Sequence, residues 1–342
     1  MHAVSSRLSR TQLKHSVSKA IDFLYHSQLP YGEFRTYASP EESMEETFSF
    51  DSSPFVTSLV LYSISFIDNP RVREMTSKAL DFLLDEVEGH GLWSYWSSRN
   101  PRYKLLPPDL DDTCCISYVL RQKHRHLQSN TEIILANRNC DGQFHTWLVP
   151  RATFETELAE EINRVVHPSA LLFLLLSAKV DDVDGVVNAN VLFYLGENEN
   201  TKKAIDYLVD IVLNETEGNC SRFYIDRHSF YYMLSRAYFS GVLSLEKTKE
   251  SVISRIIPMQ NNDGSFGNEL LTALIACSIF NFDSQMPTLS KAIRYLLRTQ
   301  KEDGSWRRLP MFLGPAPYYG SEELTTAFCV EALERYSLLL NK

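Results

Sequence analysis

No CxxC pair occurs among the six cysteines of this chain. Most of the six (Cys114, Cys115, Cys140, Cys220, Cys277 and Cys329) sit in helical, apolar contexts, where a free thiol packs as a small hydrophobe. That excludes a disulfide framework and points to a reducing, cytoplasmic compartment. Basic runs are missing too, and the net charge is −9. Phosphate binding needs a basic footprint, so a nucleic-acid partner is excluded. Long hydrophobic runs are also missing. The longest, ALLFLLLSA from Ala170 to Ala178, is too short to span a bilayer and reads as buried core. No transmembrane segment is expected, and only peripheral contact with a membrane surface stays open. The N-terminal stretch MHAVSSRLSRTQLKHSVSKA has no apolar core, so no secretory signal is expected. Strand signals are nearly absent; only Phe144 to Val165 allows a short β-hairpin. What is present is a chain of 342 residues, 44% hydrophobic and 23% charged. That balance suits a soluble globular protein with a sizeable core.

The chain repeats itself. KAIDFLYHSQLPYGEF from Lys19, KALDFLLDEVEGHGLW from Lys78, KAIDYLVDIVLNETEG from Lys203 and KAIRYLLRTQKEDGSW from Lys291 are copies of one pattern. TEIILANRNCDGQF from Thr131 and SVISRIIPMQNNDGSF from Ser251 are weaker copies. Each reads as an amphipathic helix with apolar residues at i, i+3 and i+4, closed by a glycine turn. In five copies an aromatic stands two residues after the glycine: Phe34, Trp93, Phe144, Phe266 and Trp306. A second, more apolar helix follows each turn, as in SPFVTSLVLYSISFI, VVNANVLFYLG and NELLTALIACSIF. A helix pair cannot bury its apolar face alone, so the copies must pack side by side. Six such pairs predict an all-α, closed (α/α)6 barrel, with residues 1–342 forming one domain. The axis of such a ring is a bowl lined by the N-terminal ends of the inner helices. Trp93, Trp96, Phe230, Tyr231, Trp306, Tyr318 and Tyr319 are candidates to line it, although Trp93 and Trp306 belong to repeat turns, where packing between helices is the favoured reading. The loops from Gly32 to Pro54 and from Phe144 to Val183 are candidates to cover it.

At one of those inner-helix starts the sequence reads PPDLDDTCC, Pro107 to Cys115, with Asp109, Asp111 and Asp112 crowded together. One reading is a helix N-cap, since aspartate there favours the macrodipole and satisfies free N–H groups. A cap explains one aspartate or two, but not three ahead of an apolar helix. The other reading is a Brønsted acid. Burial and neighbouring carboxylates raise the pKa of one member, so a proton stays in the cluster at neutral pH. In a dry, aromatic-lined pocket such an acid protonates a very weak base, an alkene or an epoxide. Aromatic faces then stabilise the carbocation without attacking it.

DLDDT resembles the D-x-D-D-T motif of class II terpene cyclases, the family of squalene–hopene cyclases and copalyl diphosphate synthases. QNNDGSFG from Gln260 and QKEDGSW from Gln300 are similar to the family's repeat turns. GVVNANVLFYLG from Gly185 resembles the inner helix carrying the acid's partner, and GSEELTTAFCVEAL from Gly320 resembles the last inner helix. The resemblance implies that Asp111 is the proton donor, that Asp109 and Asp112 tune and position it, and that Asn190, with Asn188 nearby, is the acid's partner. In squalene–hopene cyclases that partner is a histidine. An uncharged amide in its place suits alkene protonation more than epoxide opening. The chain has room for one barrel only, like the family's single-domain members of the merosterolic acid synthase type. The implied reaction is cyclisation of the geranylgeranyl chain of a prenylated hydroxybenzoic acid to a polycyclic meroterpenoid, an isomerisation that needs no cofactor. Geranylgeranyl diphosphate is the alternative substrate, and only a diphosphate would call for Mg²⁺. The acidic run EESMEET, Glu41 to Thr47, has no diagnostic spacing for that ion and reads as a solvated loop.

Other uses of the ring stay open at this level. Protein prenyltransferase β-subunits are (α/α)6 barrels that hold zinc on Asp, Cys and His; Asp112 and Cys114, with His167 or His228, would be the ligands here. An (α/α)6 glycosidase would place paired carboxylates across the bowl, and a helical repeat scaffold would need no acid cluster at all.

Overall fold

The computed structural model describes residues 8–152, 154–177, 179–282, 287–313 and 315–340. Six outer helices alternate with six inner ones. The outer set is α1 (Arg10–Ser27), α3 (Pro70–Asp85), α5 (Thr131–Ala136), α9 (Lys202–Leu213), α11 (Lys249–Ile256) and α13 (Pro287–Thr299). The inner set is α2 (Pro54–Ile64), α4 (Leu110–Gln122), α8 (Gly185–Leu195), α10 (Arg227–Phe239), α12 (Glu269–Asn281) and α14 (Glu322–Leu339). Each inner helix packs against the next, and α14 packs against α2, which closes the ring. The division follows from the sequence. Outer helices bury one stripe, such as Leu13, Val17, Ala20, Ile21 and Leu24 of α1, whereas every residue of α2 is buried. A helix apolar on all sides can only sit inside.

The glycine turns join outer to inner helices and stitch neighbouring pairs together. Gln300 Nε2 donates to Gly304 O and to Ser16 O, both at 2.9 Å; Gln28 and Gln260 do the same in their own repeats. Gly304 has φ +93, and a Cβ there would meet the Lys19 carbonyl oxygen at 2.3 Å, so only glycine fits. The aromatic that follows is pinned from the inner helix. Phe34, Trp93, Phe266 and Trp306 each donate a backbone N–H to a threonine hydroxyl, those of Thr57, Thr113, Thr272 and Thr326. In the α8 repeat Asn188 replaces the threonine and accepts from Phe144 N at 2.9 Å.

Strands occur, but not where the sequence suggests a hairpin. Within Phe144 to Val165 the described residues form only isolated bridges and a helix, α6 (Thr156–Val165). Leu158, Ile162 and Val165 recur there at helical spacing. A second helix, α7 (Pro168–Leu176), follows in the same insertion. The strands are β1 (Tyr37–Ser39), β2 (Ser49–Phe50), β3 (Leu309–Phe312) and β4 (Tyr318–Ser321), in one antiparallel sheet of order β2-β1-β4-β3. Tyr37 pairs with Gly320 and Ser39 with Tyr318, so the first and last long connections of the ring meet. Of the ALLFLLLSA run, expected to be core, Ala170 to Leu176 lie in α7, with Leu172, Phe173, Leu175 and Leu176 exposed, and Ala178 is outside the described residues. Among the described residues no helix is long and apolar enough to cross a membrane.

Candidate active site

All six inner helices start on a small polar residue: Ser53, Asp109, Asp184, Asp226, Asn268 and Ser321. Such residues cap helices because their side chains accept from free N–H groups. Asp109 is the α4 cap and accepts from Asp112 N at 2.9 Å. Asp111 and Asp112 occupy the first turn, where the helix dipole favours negative charge. All three carboxylates are nonetheless buried, and their protonation is decided by that burial.

Asp111 is the one of the three whose carboxylate receives donors from other helices and loops. Its Oδ1 accepts from Asn190 Nδ2 at 2.5 Å, and its Oδ2 accepts from the Tyr224 hydroxyl at 2.7 Å. Behind Asn190 lies Arg236, which is 1% exposed and donates to Asn190 Oδ1 at 2.6 Å and to Cys115 Sγ at 3.3 Å. The guanidinium lies 4.1 Å from the Phe193 ring centroid and 5.1 Å from that of Tyr62. Burial raises all three carboxyl pKa values. Asp109 is pushed up to about 8 by burial and then by the Asp111 charge. Asp112 goes well above the usual range for the same reasons, with Asp109 and Asp111 both nearby, and its Oδ2 has no partner among the described residues. Asp111 is also raised by burial, but the donors Tyr224 and Asn190 and the Arg236 charge pull against it. Donors to the charged form make an acid stronger. Asp111 is therefore a carboxyl whose pKa burial raises and whose charged form the protein already provides with two hydrogen-bond donors.

The acids line a cavity of about 300 Å³. Its walls are mainly apolar and aromatic, with Phe55, Trp96, Trp147, Phe223, Phe312 and Tyr319 among them. Arg236 and Asn190 stand behind Asp111 and are not part of the wall. The arrangement can deliver a proton into a space whose walls offer aromatic faces to a cation.

No protein-family profile matches the sequence, and no curated protein matches it significantly. Solved structures do match in fold. A variant of the type II terpene cyclase MstE from Scytonema, in complex with geranylgeranyl dihydroxybenzoate, superposes with a TM-score of 0.70 at 16% identity, over 96% of this chain and 99% of that one. The chain has a class II terpene cyclase fold. The ent-copalyl diphosphate synthase of Streptomyces platensis shares it with a TM-score of 0.59 at 16% identity, over 82% of this chain and 50% of that one. A protein from Actinoplanes matches with a TM-score of 0.70 at 18% identity, over 94% of this chain and 99% of that one.

Within this terpene cyclase fold the candidate residues of the sequence separate into groups. Asp109, Asp111 and Asp112 come together at the cavity wall, and Asn190 contacts Asp111. Asn188 does not reach the acids; it bonds Phe144 and Asp184 O and fills the threonine place of its repeat. Trp96 and Tyr319 line the cavity. Trp93 and Trp306 do not: their indole N–H groups donate back to Leu83 O and Leu296 O, which locks them between helices. Phe230 faces a separate small cavity beside Glu217, Tyr231 donates to Glu217 Oε1 at 2.8 Å, and Tyr318 is outside the lining. Position in the repeat decides this, because residues fixed by a turn face the neighbouring helix and not the axis.

The zinc arrangement is not formed. His167 caps α7 and contacts Ser169, His228 contacts Asp226, and no group of three or more His, Cys, Asp or Glu side chains among the described residues is placed to hold a metal. Two members of the acid's surroundings carry no family signature. Arg236 is a cation in the interior of the helix RHSFYYMLSRAYF, whose other arginine, Arg227, stands exposed at its start; a charge among the residues YYMLSRAYF is itself a signal that something inside needs it. Tyr224 lies in a loop and has no local signal.

Proposed function

We propose that the protein is a class II terpene cyclase acting on the geranylgeranyl chain of a prenylated hydroxybenzoic acid. The observation that carries this reading is Asp111: buried, held between Asn190 and Tyr224, and open to a cavity with aromatic walls. The Asp111 O–H proton passes to the terminal alkene of the bound chain. The tertiary cation so formed is attacked by the next alkene of the same chain, and ring closure propagates until a proton is lost. Every substrate atom stays in the product, so the overall change is an isomerisation. Phe55, Trp96, Phe312 and Tyr319 offer quadrupoles to the migrating charge and exclude water that would quench it. The Asp111 carboxylate left behind accepts the same two donors, which lowers the cost of giving up the proton. None of these steps needs a cofactor; Mg²⁺ enters only with a diphosphate substrate.

The test is incubation in parallel with geranylgeranylated dihydroxybenzoate, geranylgeranyl diphosphate and squalene, with Asp111→Asn beside the wild type. Cyclised product from the first substrate, and a loss of about a thousandfold or more in the variant, is expected for removal of the initiating acid. Unchanged turnover by Asp111→Asn would remove the mechanism. Preference for the diphosphate would replace the substrate and keep the chemistry.

A further inference from the structure

The cavity has a second polar pole, which no step above uses. Lys179, in the turn after α7, lines the same cavity as the carboxylates and is half-buried. Its ammonium has no hydrogen-bond or ion-pair partner among the described residues. The acidic neighbours in that turn are engaged elsewhere: Asp181 with Arg151 at 2.7 Å, and Asp182 with Arg222 at 3.4 Å and with the Thr146 hydroxyl at 2.9 Å. Trp147 lines the cavity too, is 5% exposed, and its indole N–H has no acceptor among the described residues. A buried donor left without an acceptor is costly, and a ligand that supplies the acceptor removes the cost. The segments that carry the two residues are hydrogen-bonded to each other. Thr146 N donates to Asp182 O at 2.9 Å, and Arg151 bridges Trp147 O at 3.4 Å and Val180 O at 2.8 Å.

An ammonium and a neutral N–H on one wall of an apolar cavity are complementary to an oxyanion. One cation balances one negative charge. A carboxylate fits that balance, whereas a diphosphate would bring uncompensated charge into an apolar space. We propose that Lys179 and Trp147 form a head-group site that binds the carboxylate of the prenylated aromatic acid and thereby aims its polyene at Asp111. This rests on the cyclase reading for the identity of the ligand. It adds that the carboxylate is what the protein selects, and by which residues.

Binding is measured on the Asp111→Asn background, so that substrate is not consumed, with geranylgeranylated dihydroxybenzoate, its methyl ester and geranylgeranyl diphosphate. The acid is expected to bind about tenfold to a hundredfold more tightly than the ester, the range of a charge-assisted hydrogen bond. Adding Lys179→Met should abolish that difference by weakening the acid alone, Lys179→Arg should retain it, and Trp147→Phe should weaken the acid by about tenfold or less. Equal binding of acid and ester, or a preference that survives Lys179→Met, overturns the proposal. So does tighter binding of the diphosphate than of the acid. Acid-selective binding without wild-type turnover would sink the cyclase reading and leave the head-group site standing. Turnover without acid selectivity would do the reverse.

Discussion

The Arg236 guanidinium donates to Oδ1 of Asn190 at 2.6 Å and so decides which end of that amide faces Asp111. A guanidinium has donors only, so it can take nothing but the carbonyl oxygen. The NH2 group is left pointing at the acid, where it donates to Asp111 Oδ1. Arg236→Met should therefore act twice. The buried Asn190 carbonyl loses its partner, and stability should fall by about 1–3 kcal/mol in urea unfolding. The Asp111 pKa should rise with the loss of a nearby cation, which a pH–rate profile reads as an alkaline limb moved to higher pH. An unmoved limb would reduce Arg236 to a packing element.

Tyr224→Phe isolates the other donor. The ring keeps its contact with Phe312, at 5.3 Å between centroids, while Asp111 Oδ2 loses the hydroxyl. Turnover should fall about tenfold, the scale of one hydrogen bond to a charged group. The alkaline limb should again move up. Melting temperature should change little, since shape is conserved.

The pH dependence has a definite sign. Asp109 is raised to about 8, and Asp111 and Asp112 are raised as well. Unfolded carboxyls titrate near ~3.9. Between these values the folded protein binds more protons than the unfolded chain, so stability falls with rising pH. The contribution of the cluster is fully present below ~4 and is lost as pH rises through about 8. Turnover should fail on the same alkaline side, because the acid is then spent. Asp109→Asn should flatten the stability slope between pH 4 and 8, as followed by denaturant midpoints; an unchanged slope would place the raised pKa elsewhere.

Gln300→Ala tests the ring and not the chemistry. It removes the donor shared by Gly304 O and Ser16 O, which joins the last repeat to the first. Stability should drop by about 1–3 kcal/mol, with the pH–rate profile unchanged. A shifted profile would mean that ring closure and the acid are coupled.

Much of this was legible in the residues. The helix pairs, their glycine turns and the polar helix starts are written locally, within a few positions of one another, and the glycine turn recurs in five of the six repeats, the copy at Gly218 departing from it. Trp93 and Trp306 follow their place in the repeat turns, which favours packing between helices over lining the bowl: each indole N–H is bonded to a carbonyl of the preceding helix. Asn188 shows where local reading overreaches. Two asparagines two positions apart look equivalent in VVNANVL, and the helix sends one to the Phe144 backbone and the other to the acid.

The sequence by itself determined the ring, the acidic cluster at an inner-helix start and the apolar character of its surroundings, because periodicity and capping are short-range. Only the tertiary structure decided which acid is held and by what. The partners of Asp111 stand 79 and 113 positions away, at Asn190 and Tyr224. The sheet that joins the ends of the ring pairs residues near 37 with residues near 320. Side chains so far apart in sequence meet because the ring closes, bringing every inner-helix start to one axis.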